Sequence, residues 1–161
     1  MRAGEAPPGT RLFEGRPVLP GDATGLAEVS TVPFDTCATY VDLLISGARS
    51  GRCRDISNPD LYGRDLVGRI LCIPQTIGSM SATTLWMTLI ESGLAPAALC
   101  LANPIDATAA SGLVLAEHWL GSRPVAVDCL GPEFLDTART GDTVAILEDG
   151  SVEIRPREPD L

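Results

Sequence analysis

The chain is 161 residues long and 45% hydrophobic, with mean hydropathy +0.17 and a net charge of −9 from 12 basic and 21 acidic residues. That is about one domain, long enough to bury a core without disulfides or a structural metal, and too apolar to stay disordered. The acidic balance argues against binding phosphate backbones or anionic membranes, and 4% aromatic residues argue against a base-stacking platform.

Residues 1–14 are polar with Pro and Gly, and are expected as a flexible start. Residues 15–155 are expected as one domain and 156–161 as a polar tail. Segments 16–19 (RPVL) and 25–31 (GLAEVST) read as short strands, with Pro20-Gly21-Asp22 as a turn between them. Residues 32–65 show no clean periodicity. They hold Pro33, Gly47, Gly51, Pro59 and Gly63, with Cys37, Tyr40, Asp42 and Tyr62 among them. A loop of this length in a small domain is often functional.

Segment 67–73 (VGRILCI) reads as a buried strand, and 74–81 (PQTIGSMS) as a strand-to-helix connection. Residues 82–92 have helical spacing at Leu85, Leu89 and Ile90, with Gly93 placed to end the helix. Segment 97–101 is a second buried strand, broken by Asn103-Pro104. A second helix covers 113–120 before Gly121, and 124–128 (PVAVD) is a third strand. Segments 143–147 and 151–154 flank Glu148-Asp149-Gly150, a hairpin signal. The middle therefore alternates strand and helix, which implies a right-handed parallel unit, and the ends read as antiparallel pieces. The fold class is α/β: one parallel sheet with helices, joined to an antiparallel β layer.

Five cysteines are widely spaced, without a CxxC, and the one histidine is His118. A zinc site of the finger or protease type does not follow from such a set. Cys72, Cys100 and Cys129 stand in apolar runs and are expected to be buried, whereas Cys37 and Cys53 stand in loop-like sequence. Reduced thiols and no recognisable signal peptide suggest the cytoplasm. No apolar run approaches the ~20 residues of a membrane span.

The segment Ile77-Gly78-Ser79-Met80-Ser81 carries the chemistry best. It lies where a strand ends and a helix begins, the place where ligands gather in α/β folds. Free N–H groups and the helix dipole there stabilise an anion and lower the cost of an ionised serine. Gly78 would let a substrate approach the backbone. The commoner reading of the spacing is that Ser79 or Ser81 caps the helix, worth about 1 kcal/mol. The segment is neither a P-loop nor a nucleophile elbow. His118 reads as a packed ring or dipole partner at a helix end, Asp128 as a turn cap, and Arg52, Arg54 and Arg64 as solvated loop cations able to meet a carboxylate.

Beyond these readings, the order of signals resembles the small, swivelling-domain component of the aconitase X family. The matching stretches are GRPVLPGDATGLAEV, LYGRDLVGRILCIPQTIGSMSATTLWMTLIESGLAPAALCLANPID, LVLAEHWLGSRPVAV and TGDTVAILEDGSVEI, which span most of residues 15–154. The resemblance implies a three-layer β/β/α swivelling domain like the mobile domain of aconitase. It implies a dehydratase acting on a small hydroxy acid, either cis-3-hydroxy-L-proline or mevalonate 5-phosphate. Ser79 maps onto the family's serine base, with Gly78 and Ser81 beside the substrate. An iron or iron–sulfur centre is implied on a separate large subunit, with no metal on this chain and no nucleic-acid or membrane partner.

Two departures stand out. Many members read Gly-Arg-Gly-Ser before the helix, where this chain has Thr76-Ile77-Gly78-Ser79. The missing arginine removes a phosphate partner and favours hydroxyproline. The Trp-Gly-Gly-Asp pattern of relatives is reduced here to Tyr40-Val41-Asp42. A non-catalytic binding protein on the same fold is the alternative of a different class.

Overall fold

A computed structural model describes residues 8–158. In chain order the elements are β1 (Arg11–Glu14), β2 (Arg16–Leu19), β3 (Ala23–Val29), β4 (Phe34–Asp35), α1 (Thr36–Thr39), α2 (Val41–Ser46), β5 (Ile70–Ile73) and β6 (Thr76–Ile77). They continue with α3 (Ser81–Glu91), β7 (Ala98–Leu101), α4 (Ala107–Leu120), β8 (Val125–Asp128), α5 (Pro132–Thr137), β9 (Thr143–Ile146) and β10 (Ser151–Arg155).

Eight strands form one sheet in the order β1-β10-β9-β3-β5-β7-β8-β2. The run β3-β5-β7-β8 is parallel, and β1, β10 and β9 extend it antiparallel through β3. Burial patterns follow from what covers each face. Every residue of β5, β7 and β8 is buried, whereas β9 and β10 alternate because one of their faces is open.

The period of two along β5 and β7 divides the interior. Ile70, Cys72, Ala98 and Cys100 join Val144, Ile146, Val152 and Ile154 in a core between the two β layers. Leu71, Ile73, Leu99 and Leu101 join Leu85, Trp86, Leu89, Ala109 and Leu113 in a core beneath the helices. The result is the three-layer β/β/α arrangement. Helices α3 and α4 approach closely at Gly112, where a Cβ would lie 2.7 Å from the Thr83 carbonyl oxygen and 2.8 Å from Trp86 Cβ. Both helices end where the glycines stand, Gly93 at φ 69° and Gly121 at φ 66°.

The structure departs from the sequence reading in several places. Arg11–Glu14, inside the stretch expected to be flexible, is the edge strand β1, because Phe13 enters the core between the β layers and meets Phe134 with ring centroids 5.5 Å apart. The remainder of that stretch up to residue 7, and residues 159–161 of the tail, lie outside the described residues. Strands β2 and β3 do not pair across Pro20-Gly21-Asp22; β2 pairs with β8 and β3 with β5 and β9. The second helix starts at Ala107 rather than 113, since the Asp106 carboxylate caps it by accepting from Thr108 N and Ala109 N. Helix α5 was not expected; Pro132 opens it, and Phe134 anchors it. The long segment 32–65 holds β4, α1 and α2.

Candidate functional site

The site begins with a two-residue bridge. Strand β4 pairs parallel with β6, Phe34 opposite Thr76 and Asp35 opposite Ile77, and Phe34 N donates to the Gln75 carbonyl at 2.8 Å. This places the start of α1 beside the turn that opens α3. Cys37 Sγ lies 3.6 Å from Ser79 Oγ, across 42 residues of sequence.

Neither serine caps α3. Met80 precedes the helix in the right-handed region, and no side chain bonds the first turn. Instead the Ser79 carbonyl accepts from Ala82 N at 2.9 Å and the Met80 carbonyl from Thr83 N at 3.3 Å. Among the described residues, the N–H groups of Ser79, Met80 and Ser81 meet no acceptor. The capping expectation is thus corrected: the Ser79 hydroxyl is exposed and turned to sulfur rather than to the helix. By contrast, α4 and α1 have carboxylate caps, Asp106 and Asp35.

Gly78 stands where three helix starts converge. A Cβ there would lie 2.9 Å from Ala82 Cβ, and 3.8 Å from both Thr36 Cβ and Thr108 Oγ1. Ser81 is the first residue of α3 and lines a groove of about 360 Å³ with Leu43, Leu44, Thr84, Leu85 and Thr88. Around this point the Thr36 hydroxyl and Asp106 Oδ2 are buried without a partner among the described residues. Beneath lies an aromatic cluster in which Tyr40 packs at 6.1 Å from Phe34 and 6.3 Å from Trp86. Burial, with Cys53 and Asp65 adding to it, pushes the Tyr40 phenol far above its usual range.

The other sequence candidates have structural positions. Asp128 is fully buried and accepts from Arg16 Nε at 2.9 Å, Arg16 Nη2 at 2.7 Å and Ile105 N at 2.8 Å. It thereby ties β2 to the loop that leads into α4. Burial pushes its carboxyl up, but the hydrogen bonds from Arg16, Ile105 and Cys129 together with the Arg16 charge hold it below the usual carboxylate value. Arg54 pairs with Asp42 at 3.0 Å, Arg64 with buried Glu28 at 2.5 Å, and Arg52 donates to the Gly63 carbonyl at 2.9 Å. These arginines hold the long segment in place. His118 is exposed in the last turn of α4, edge-on to Trp119 at 5.3 Å, at the end of the helix away from Gly78. Cys53 is buried in the helical core and does not reach Ser79, whereas Cys37 does. Cys129 was expected to be buried; it is exposed at φ 57°, because the chain turns sharply out of β8 there.

Sequence reasoning left Cys37 open and did not single out Thr36, Asp35 or Asp106. Asp106, three residues after the strand-breaking Asn103 of Asn103-Pro104 and just before Ala107-Thr108-Ala109, carried a capping signal that could have been read. The described residues bring together no group of three or more His, Cys, Asp or Glu side chains suited to a metal. No described helix is long and apolar enough to cross a membrane.

A family model described as the aconitase X swivel domain matches residues 12–154. A cis-3-hydroxy-L-proline dehydratase of Pseudomonas aeruginosa is 38% identical over 111 residues, which is 69% of this chain but only 18% of that protein. A phosphomevalonate dehydratase small subunit of Aeropyrum pernix is 29% identical over 143 residues, 88% of this chain and 92% of that one. The crystal structure of Thermococcus kodakaraensis aconitase X in its holo-form superposes with a TM-score of 0.75 at 22% identity, over 91% of this chain and 99% of that chain. A UPF0107 protein solved by solution NMR gives 0.71 at 24% identity, over 91% and 100%. These two establish the likeness of fold.

Proposed function

The chain belongs to the aconitase X swivel-domain family, and on that premise we propose that it is the small subunit of a hydro-lyase that dehydrates cis-3-hydroxy-L-proline to Δ1-pyrroline-2-carboxylate, with Ser79 as the base. The observation that carries this reading is the state of Ser79. Its hydroxyl is exposed, takes no part in capping, and stands at a helix start with three unpaired N–H groups. Such a terminus favours negative charge on the serine oxygen or on a substrate carboxylate.

In this reaction Ser79 Oγ takes the proton from the α-carbon, the 3-hydroxyl departs, and the resulting enamine tautomerises to the cyclic imine. Gly78 keeps the approach to Ser79 clear of side chain, and Ser81 sits at the rim. An iron or iron–sulfur centre belongs to the large subunit in this reading and would act there as a Lewis acid toward the carboxylate or the departing hydroxyl. The large subunit would cover the face around the turn, where Met80 is 88%, Ile45 79%, Leu44 48% and Ile77 39% exposed.

Ile77 also bears on the substrate. Without a cation at this place, a phosphate loses a charge-assisted hydrogen bond worth ~1.5–3 kcal/mol, about 10- to 100-fold in binding. The Aeropyrum relative, which this chain matches nearly end to end, supports mevalonate 5-phosphate as the second reading. The test is an assay of the chain co-purified with its large subunit against both substrates. Dehydration of cis-3-hydroxyproline by the pair, and none by the isolated chain, is the expected result. Faster turnover of mevalonate 5-phosphate would transfer the assignment to the second reading. Absence of elimination by the pair on either substrate would favour a binding protein on this fold.

A further inference from the structure

We propose that Cys37 acts through Ser79: its sulfur takes the serine's own proton as Ser79 takes the proton of the substrate. The inference rests on the reading of Ser79 as the base and extends it by one residue. Cys37 need touch no substrate atom and is a positioning residue for Ser79.

The argument starts from the contact. Ser79 Oγ and Cys37 Sγ are 3.6 Å apart, within hydrogen-bond reach for sulfur, and the oxygen has no capping bond to compete. A thiol gives up its proton far more readily than an aliphatic hydroxyl. An alkoxide formed against a thiol would therefore take the thiol's proton, so the negative charge of such a pair settles on sulfur. A serine that acts as base while touching a thiolate never carries the full alkoxide charge, so the active base forms without the cost of ionising an alcohol.

A second observation, independent of the cysteine, is an unpartnered polar group beside the same turn. The Thr36 side chain is 0% exposed and its hydroxyl has no partner among the described residues. Its Cβ stands 3.8 Å from where a Cβ on Gly78 would be, and Gly78 directly precedes Ser79. The charged groups on the elements packed here include the Asp35 carboxylate capping α1, the Asp42 carboxylate in the first turn of α2, which is paired with Arg54, and the Asp106 carboxylate capping α4; the first turn of α3 holds no acidic residue. The capping carboxylates oppose a charge on sulfur and the open N–H groups of α3 favour it.

The step balances as follows. The α C–H bond breaks and its proton goes to Ser79 Oγ, while the Ser79 O–H proton passes to the Cys37 thiolate, giving a thiol. The electron pair left on the α-carbon forms the double bond as the C–O bond breaks and hydroxide leaves. The thiol then returns its proton to solvent, which neutralises the hydroxide, and the net change is loss of one water.

Two measurements test this. In the complex with the large subunit, Cys37→Ala should lower kcat about 100-fold with KM changed by less than about twofold, the size expected for losing a proton acceptor. Cys37→Ser, which keeps size and hydrogen bonding but cannot hold the charge, should not restore it. Normal kcat in Cys37→Ala, or full rescue by Cys37→Ser, would overturn the proposal. The second measurement needs no activity and separates this proposal from the function it rests on. In the isolated chain carrying Cys129→Ala, iodoacetamide labelling of Cys37 is followed by peptide mass at neutral pH. Ser79→Ala should slow labelling about threefold or more, because the hydroxyl no longer stabilises the thiolate. An unchanged rate would show that the two groups do not share a proton, even if Ser79 is the base.

Discussion

Between the two β layers the interior is closed-packed and, apart from Cys72 and Cys100, made of aliphatic side chains with Phe13 and Phe134. Beneath the helices it is built around Phe34, Tyr40 and Trp86 and receives the long segment 32–65. Six buried side-chain atoms lack a partner among the described residues, and five of them belong to the helical side and its loops: Thr36, Tyr40, Asn58, Trp86 and Asp106. The sixth, Arg155 Nε, lies in the antiparallel layer. A buried polar atom without a partner costs stability. Such atoms are thus concentrated on the side that carries Ser79, and the β/β core is nearly free of them.

Four measurements would sharpen or break that division. The largest effect is expected at Ser79. Ser79→Ala should reduce turnover of the complex by about 10²–10⁴-fold with the melting temperature of the chain nearly unchanged, since the side chain caps nothing. A loss of stability with turnover intact would return Ser79 to a structural role.

Phe134→Ala should do the reverse. It empties a fully buried ring from the β/β core, where Phe13 is its neighbour, at about 3–5 kcal/mol in denaturant unfolding. The kcat of the folded complex should stay within a few-fold. A collapse of kcat in protein shown to be folded would mean the two sides are coupled.

Asp128 lies at the seam. Asp128→Ala leaves the Ile105 N–H without its acceptor and should cost about 2 kcal/mol. The carboxyl titrates lower in the fold than in the unfolded chain. Its stabilisation is therefore complete above the ordinary carboxylate value and is lost as pH falls through the lowered one. Unfolding followed from pH 7 downward should show a weaker acid dependence in Asp128→Asn than in the parent. Equal dependence would place the acid sensitivity elsewhere.

The smallest effect belongs to Tyr40. Tyr40→Phe removes an unpartnered buried hydroxyl and should be neutral or stabilising by up to about 1 kcal/mol. A destabilisation of more than that in thermal melts would show that the hydroxyl is bonded in the assembled protein.

Much of this protein could be read from the chain alone. The strands at 70–73, 98–101 and 125–128, the hairpin of β9 and β10, and the glycine ends of α3 and α4 all follow from residues close in sequence. Their signals are local: an apolar run, a turn tripeptide, a glycine after a periodic segment. The position of Gly78-Ser79 between a strand and a helix was legible, and the family was legible in the order of its segments. What tertiary structure decided is which polar groups meet there. Cys37 reaches Ser79 because β4 and β6 pair over two residues. Asp128 is committed because Arg16 arrives from the opposite end of the chain, and β1 is a strand because β10 and Phe134 are waiting for it. Propensity and periodicity act over a few neighbouring residues, whereas these contacts join residues 42 and 112 positions apart, and their partners exist only once the sheet has set its register.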